Sequence, residues 1–433
     1  MTTLRIAGGK VIRPDMSVTE ADVLVDQAAG EILEIGPDVE GEDEYLDARG
    51  SLVIPGLVNG HCHVAMTLLR GYADDKPLDR WLQEDIWPTE AELTPADVCA
   101  GTKLGVLEMI KSGTTAFGDM YFMVPSIVEA IEESGLRARV GHAAITVAKD
   151  DEAAAEDVQT SVEIAGQYDD SEDDLVSSAV MPHSLTTVAT EYFSDFAEGA
   201  RSLDVPLHYH ANETADEVDP IVDKEGLRPL ELADEHGLLG ADDYLAHCVH
   251  VDETEIDLLA ESGASAIHCP ASNMKLASGM APVQEMLDAG VTVGLGTDGA
   301  ASNNDLDMFD EIRDAAMVGK LAADDASAVD AETAFSLATT GSADALGFDS
   351  GRIEEGANAD LAVIDLDAPR LAPPHDLVSH LAYAVSGSDV RHTVVDGEIL
   401  MRDREVLTLD EDAVIAEATD HAASLVARAE GDG

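Results

Sequence analysis

Between residues 55 and 350 the chain repeatedly sets a short apolar run against a helical stretch, and this alternation restricts the available folds more than any other feature. The runs read "SLVIPGLVNGHCH", "GTTAFGD", "RARVGHAAI", "LVSSAVMPH", "VPLHYHANE", "DYLAHCVH", "ASAIHCP" and "VTVGLGTDG". Helical periodicity appears between them in segments such as "PADVCAGTKLGVLEMIKSG" and "APVQEMLDAG". Strands alternating with helices over about 300 residues predict a parallel β/α barrel. Residues 1–54 and 351–433 have another texture, with short alternating runs broken by Gly, Pro and Asp at hairpin spacing. The predicted fold class is therefore α/β: a (β/α)8 TIM-like barrel over 55–350, with a small β-sandwich domain formed from both termini and a terminal helix in its C-terminal part.

In such a barrel the functional residues sit at the C-terminal ends of the strands. The first run ends in His61 and His63, and later ones end at His183, His210 with Glu213 close behind, His247, His268 and Asp298. One histidine at a strand end is more often structural than functional. A barrel mouth filled with imidazoles and carboxylates is costly to bury without a metal or a substrate. In a strand, side chains alternate between faces, so His61 and His63 share one side and Cys62 takes the other. With His210 and Asp298 they make three nitrogen ligands and one oxygen ligand, a set suited to Zn²⁺. Binuclear barrel hydrolases need a bridging lysine on the fourth strand, but "LVSSAVMPHSLTTV" offers His183 and no lysine. One divalent metal ion per chain, zinc, is the expected cofactor.

Composition bears on where the chain works. Its 88 acidic residues against 24 lysines and arginines give a formal charge of -64, spread from end to end. Such a surface repels nucleic acid and anionic membranes, so neither is an expected partner. With few lysines and many small residues, the pattern suits a cytoplasm of multimolar salt, where screening shortens the Debye length to about 3 Å or less. The four cysteines, Cys62, Cys99, Cys248 and Cys269, show no C-x-x-C spacing and read as reduced thiols. Without a signal-like start or a membrane span, the expectation is a soluble cytoplasmic protein; a homo-oligomer is left open.

The stretches "PGLVNGHCHVAMTLLRGYADDKPLDRWLQEDIWPTE", "HANETADE", "LAHCVH", "HCPASNMKLASGMAPVQEMLDAG" and "GLGTDGAASNNDLDMFDEIR" resemble the amidohydrolase superfamily. Within it, the likeness is to the 5-methylthioadenosine/S-adenosylhomocysteine deaminases, which include 5′-deoxyadenosine deaminases. The resemblance implies metal ligation by His61, His63, His210 and Asp298, proton transfer by Glu213, His247 and Asp298, and nucleoside contacts from Glu90, His183, Glu213 and Asp298. A metal that lowers the pKa of water to about 7 supplies hydroxide for attack at adenine C6. Glu213 is then the acid for N1, and Glu90 the acceptor for both ribose hydroxyls. Trp81 and Trp87 are candidate pocket walls, His268 a supporting or pocket residue, and Ser302 and Asn303 supports for the loop that aims Asp298.

The sequence departs from this pattern after the third strand. Relatives that accept S-adenosylhomocysteine place arginines there, whereas "GHAAITVAKDD" offers His142 and Lys149. The implied reaction is hydrolytic deamination of 5′-modified adenosines, with methylthioadenosine or 5′-deoxyadenosine ahead of S-adenosylhomocysteine. The alternatives are a deaminase or chlorohydrolase acting on a free base or triazine, and a non-catalytic scaffold.

Overall fold

The computed structural model describes residues 2–37, 39–41, 43–168 and 175–431. Among the described residues, eight parallel strands form the barrel. The first four are Leu57–Cys62, Thr114–Tyr121, Arg137–Ala144 and a fourth in two pieces, Val176–Ser178 and Met181–Pro182. The other four are His208–Ala211, Tyr244–His247, Ser265–His268 and Val293–Leu295. Each half is a continuous parallel ladder. Isolated parallel bridges Val180↔Leu207 and Ser184↔His210 join the fourth strand to the fifth.

The opposite seam is closed by side chains as well as backbone. Asn59 Nδ2 donates to Thr297 Oγ1 at 2.7 Å, Thr297 N–H donates to Asn59 Oδ1 at 3.0 Å, and Asp298 N–H donates to the His61 carbonyl at 3.0 Å. Gly296 permits this approach, because a Cβ there would stand 2.7 Å from the His61 carbonyl oxygen. The seam therefore ties the first strand, with His61 and His63, to the loop that carries Asp298. Val58, Ala116, Met120, Ala143, Ala179, Met181, Tyr244 and Ile267 fill the barrel interior.

Outer helices begin and end where the sequence signals them. Helix Pro95–Ser112 starts with a capping box, in which Thr94 and Asp97 each satisfy the other's backbone N–H, and stops at Gly113 with φ +85°. The acidic stretch from Lys149 begins as a helix, Asp151–Gln167, with Asp150 as its cap; its continuation over 169–174 lies outside the described residues.

Both termini contribute to one nine-stranded mixed sheet among the described residues. Strand Ser51–Pro55 joins the two contributions, pairing in parallel with Thr3–Ile12 and antiparallel with Leu361–Asp365. It leads directly into the first barrel strand, so this sheet anchors the start of the segment that carries His61 and His63.

Candidate functional site

The strand ends converge as the alternation of side chains requires. His61, His63, His210 and Asp298 each offer one ligand atom, and all four atoms lie within 4.8 Å of one another. Asp298 Oδ1 is 3.5 Å from His61 Nε2 and 3.2 Å from His63 Nε2. Its other oxygen accepts the hydroxyls of Ser272 at 2.6 Å and Ser302 at 2.7 Å. Burial works against ionisation of Asp298, but the His61 and His63 imidazoles beside it overcome it and hold the carboxyl well below its usual range. Burial pushes His61 down to about 4 and His210 well below its ordinary value.

The donor set fits a divalent cation. His61 Nε2 is fully buried with no hydrogen-bond partner among the described residues, although it faces the other three groups. His63 and His210 each use Nδ1 on a backbone carbonyl, Met120 and His183 respectively, both at 2.6 Å. Their Nε2 atoms, 3.3 Å apart, are thereby turned toward each other and toward Asp298. Such bonds to the far ring nitrogen set tautomer and orientation in metal-ligating histidines. For His63, burial is outweighed by the Asp298 carboxylate, and its pKa rises to about 9, so the cluster attracts positive charge.

Two residues of the barrel mouth, His247 and Asp298, sit on strained backbone. His247 has φ +74° and Asp298 φ +59°, left-handed values that cost a non-glycine residue about 1–3 kcal/mol. The kinks turn each side chain into the mouth as its strand ends. His247 Nδ1 faces Asn273 Oδ1 at 3.0 Å, an acceptor, so Nδ1 carries the proton and Nε2 presents its lone pair 3.7 Å from Glu213 Oε2. Glu213 also accepts Ser278 Oγ at 3.3 Å, and burial raises its carboxyl above the ordinary glutamate value.

A cavity of about 570 Å³ opens over the cluster. His63, His210, Asp298, Glu213, His247, His183, Glu90, Trp81 and Trp87 all line it. His183 has Nδ1 engaged by Thr187 Oγ1 at 2.9 Å, leaving Nε2 available. Glu90 is half-buried, accepts the Tyr121 hydroxyl at 2.6 Å, and is raised to about 7 by desolvation. Ser302 braces Asp298, while Asn303 donates to the Thr297 carbonyl at 2.8 Å and to Glu311 at 2.7 Å.

His268 departs from its expected place. It is buried but does not line the cavity, and neither ring nitrogen has a partner among the described residues. Several contributors were not singled out from the sequence. Asp119 accepts the Val64 N–H at 2.6 Å just beyond His63, Tyr121 holds Glu90, and His208 contacts His61. A second H-x-H in "LHYH" was the available signal for His208.

A parallel barrel with this three-histidine, one-aspartate cluster at the C-terminal ends of its strands defines a metal-dependent hydrolase of the amidohydrolase type. Residues 52–400 match the amidohydrolase family, and the chain belongs to it. It is 64% identical, over the full length of both chains, to a 5-methylthioadenosine/S-adenosylhomocysteine deaminase of Natronomonas pharaonis. It is 44% identical to a 5′-deoxyadenosine deaminase of Methanosarcina mazei, over 92% of each chain. Among solved structures it superposes on an adenosine deaminase from Xanthomonas campestris with bound zinc, at TM-score 0.92 and 38% identity over 98% of each chain. Zinc-complexed atrazine chlorohydrolase from Arthrobacter aurescens is also similar, at TM-score 0.89 and 26% identity over 97% of this chain and all of that one.

Proposed function

We propose that this chain hydrolytically deaminates the adenine ring of 5′-modified adenosines, releasing ammonia and the inosine analogue. Methylthioadenosine and 5′-deoxyadenosine come ahead of S-adenosylhomocysteine. The observation that carries this reading is Glu90, an oriented carboxylate on the wall of the cavity that also holds the His-His-His-Asp cluster. A carboxylate accepts two ribose hydroxyls well, and a free base or triazine has none to offer.

His61, His63, His210 and Asp298 would hold one divalent ion, zinc by donor type, which supplies Lewis acidity and activated water when bound. Glu213, whose carboxyl burial pushes above the ordinary glutamate value, donates to N1 of the purine and so allows addition at C6. His247, with its lone pair facing the cavity, takes the proton of the attacking water and passes it to the leaving amine. His183 binds the nucleoside through its free Nε2, and the kinked backbone at Asp298 keeps that carboxylate in register with His61 and His63. The free thiols of Cys62, Cys99, Cys248 and Cys269 support a cytoplasmic setting. Among the described residues, no helix is long and apolar enough to cross a membrane.

Ammonia release from a panel of adenosine derivatives, free purines and triazines in concentrated KCl tests the proposal. The 5′-modified adenosines should dominate, and Glu90→Ala should weaken them selectively. A triazine or free base as best substrate, or an unchanged Glu90→Ala enzyme, would overturn it.

A further inference from the structure

The three histidines of the cluster reach their orienting carbonyls in two ways. His63 and His210 bond to a backbone carbonyl directly. His61 does so through another side chain: its Nδ1 lies 2.8 Å from His208 Nε2, and His208 Nδ1 lies 2.8 Å from the Tyr244 carbonyl oxygen. His61, His208 and Tyr244 are all completely buried. The His208 ring also stacks on the Tyr244 ring, with centroids 4.1 Å apart and 15° between planes, so its own plane is fixed.

Elementary hydrogen-bond chemistry then assigns each proton. The Tyr244 carbonyl can only accept, so His208 Nδ1 carries a hydrogen. In a neutral imidazole, Nε2 is then an acceptor. His61 Nδ1 must donate to it, which leaves the His61 Nε2 lone pair facing His63, His210 and Asp298. The opposite arrangement would put a hydrogen on His61 Nε2 and remove it as a ligand. His208 lies two residues before His210 on the same strand face, so one strand supplies both a member of the cluster and the orienter of another.

We propose that His208 is a positioning residue that fixes the tautomer and ring plane of His61, turning His61 Nε2 into a competent ligand through a carbonyl–imidazole–imidazole relay. This rests on the metal-site reading above. Glutamine can reproduce the relay's polarity, since its amide oxygen accepts and its amide nitrogen donates; leucine can do neither.

The test measures zinc affinity by chelator competition, and the visible spectrum after cobalt substitution, in the full-length wild type, His208→Leu and His208→Gln. His208→Leu should lose affinity by about 10- to 100-fold, the usual scale for removing an outer partner of a metal-bound histidine, and should shift the cobalt bands. His208→Gln should recover most of the affinity and the wild-type spectrum. Unchanged affinity and spectrum in His208→Leu, or equal losses in both variants, would overturn the relay. A wild type that takes up no zinc would instead overturn the metal reading itself. If His208→Leu does not fold, ¹⁵N resonances of the wild-type histidines decide: His61 and His208 both protonated at Nδ1 support the relay, and any other tautomer pair defeats it.

Discussion

Adding a carboxylate to the 5′ substituent should lower catalytic efficiency, for a reason visible beyond the third barrel strand. The two side chains in "GHAAITVAKDD" that could meet a carboxylate are already committed: His142 Nε2 lies 2.9 Å and Lys149 Nζ 2.8 Å from the two oxygens of Asp157, which also accepts the Ile145 N–H at 2.7 Å. Neither His142 nor Lys149 lines the cavity; Ile145 and Val147 of that segment do. Lys224, the one lysine or arginine among the described lining residues, has its Nζ 2.7 Å from Glu225. The homocysteine carboxylate of S-adenosylhomocysteine would leave water without a guanidinium fork to receive it. The lost charge-assisted hydrogen bonding is about 1.5–3 kcal/mol, or roughly 10- to 100-fold in kcat/KM. Ammonia-release kinetics should therefore rank methylthioadenosine above S-adenosylhomocysteine by that factor, and the decarboxylated analogue of the latter should recover most of the gap. Val147→Arg, on the cavity wall, should narrow the gap from the other side. S-adenosylhomocysteine as best substrate, or a decarboxylated analogue no better than its parent, would refute the reasoning.

Glu213→Gln should retain zinc and bind substrate while losing on the order of 10²-fold or more in kcat, because the N1 proton has no donor; single-turnover rates with metal analysis check this. Glu90, raised to about 7 by desolvation, protonates as pH falls through that value and gives up acceptor capacity, so KM for ribosyl substrates should rise toward acid. That rise should be absent in Glu90→Gln, and its persistence would assign it to another group. Elemental analysis should find one zinc per chain in active enzyme, with two full equivalents counting against the four-residue site. A formal charge of -64 should make the melting temperature climb between dilute buffer and molar KCl, and a flat response would remove salt adaptation as the reason for the acidic surface.

What was legible in the sequence follows from the geometry of strands. A period of two tells which face a side chain takes, and a barrel puts all strand ends on one rim, so the gathering of His61, His63, His183, His210, His247, His268 and Asp298 follows from position, while the choice of His61, His63, His210 and Asp298 among them follows from donor type and the family resemblance. The same rule gives the face and not the neighbours. His268 ends its strand as His247 does, yet His247 has φ +74° and a partner in Asn273, while His268 lies buried outside the cavity with neither nitrogen engaged. His208 shares the spacing that identifies His210, but its importance comes from His61, 147 residues away on the facing strand across the barrel interior, a contact no local pattern reports. Glu90 reads as an open acceptor until Tyr121, 31 residues on, is seen to occupy one of its oxygens. Period and strand-end position thus point to the groups that gather at the barrel mouth, Glu90 on its helix excepted. The groups that hold them, Asp119, Tyr121, His208, Asn273 and Ser278, act through partners brought close only by closure of the barrel, and their signal is the buried hydrogen bond itself.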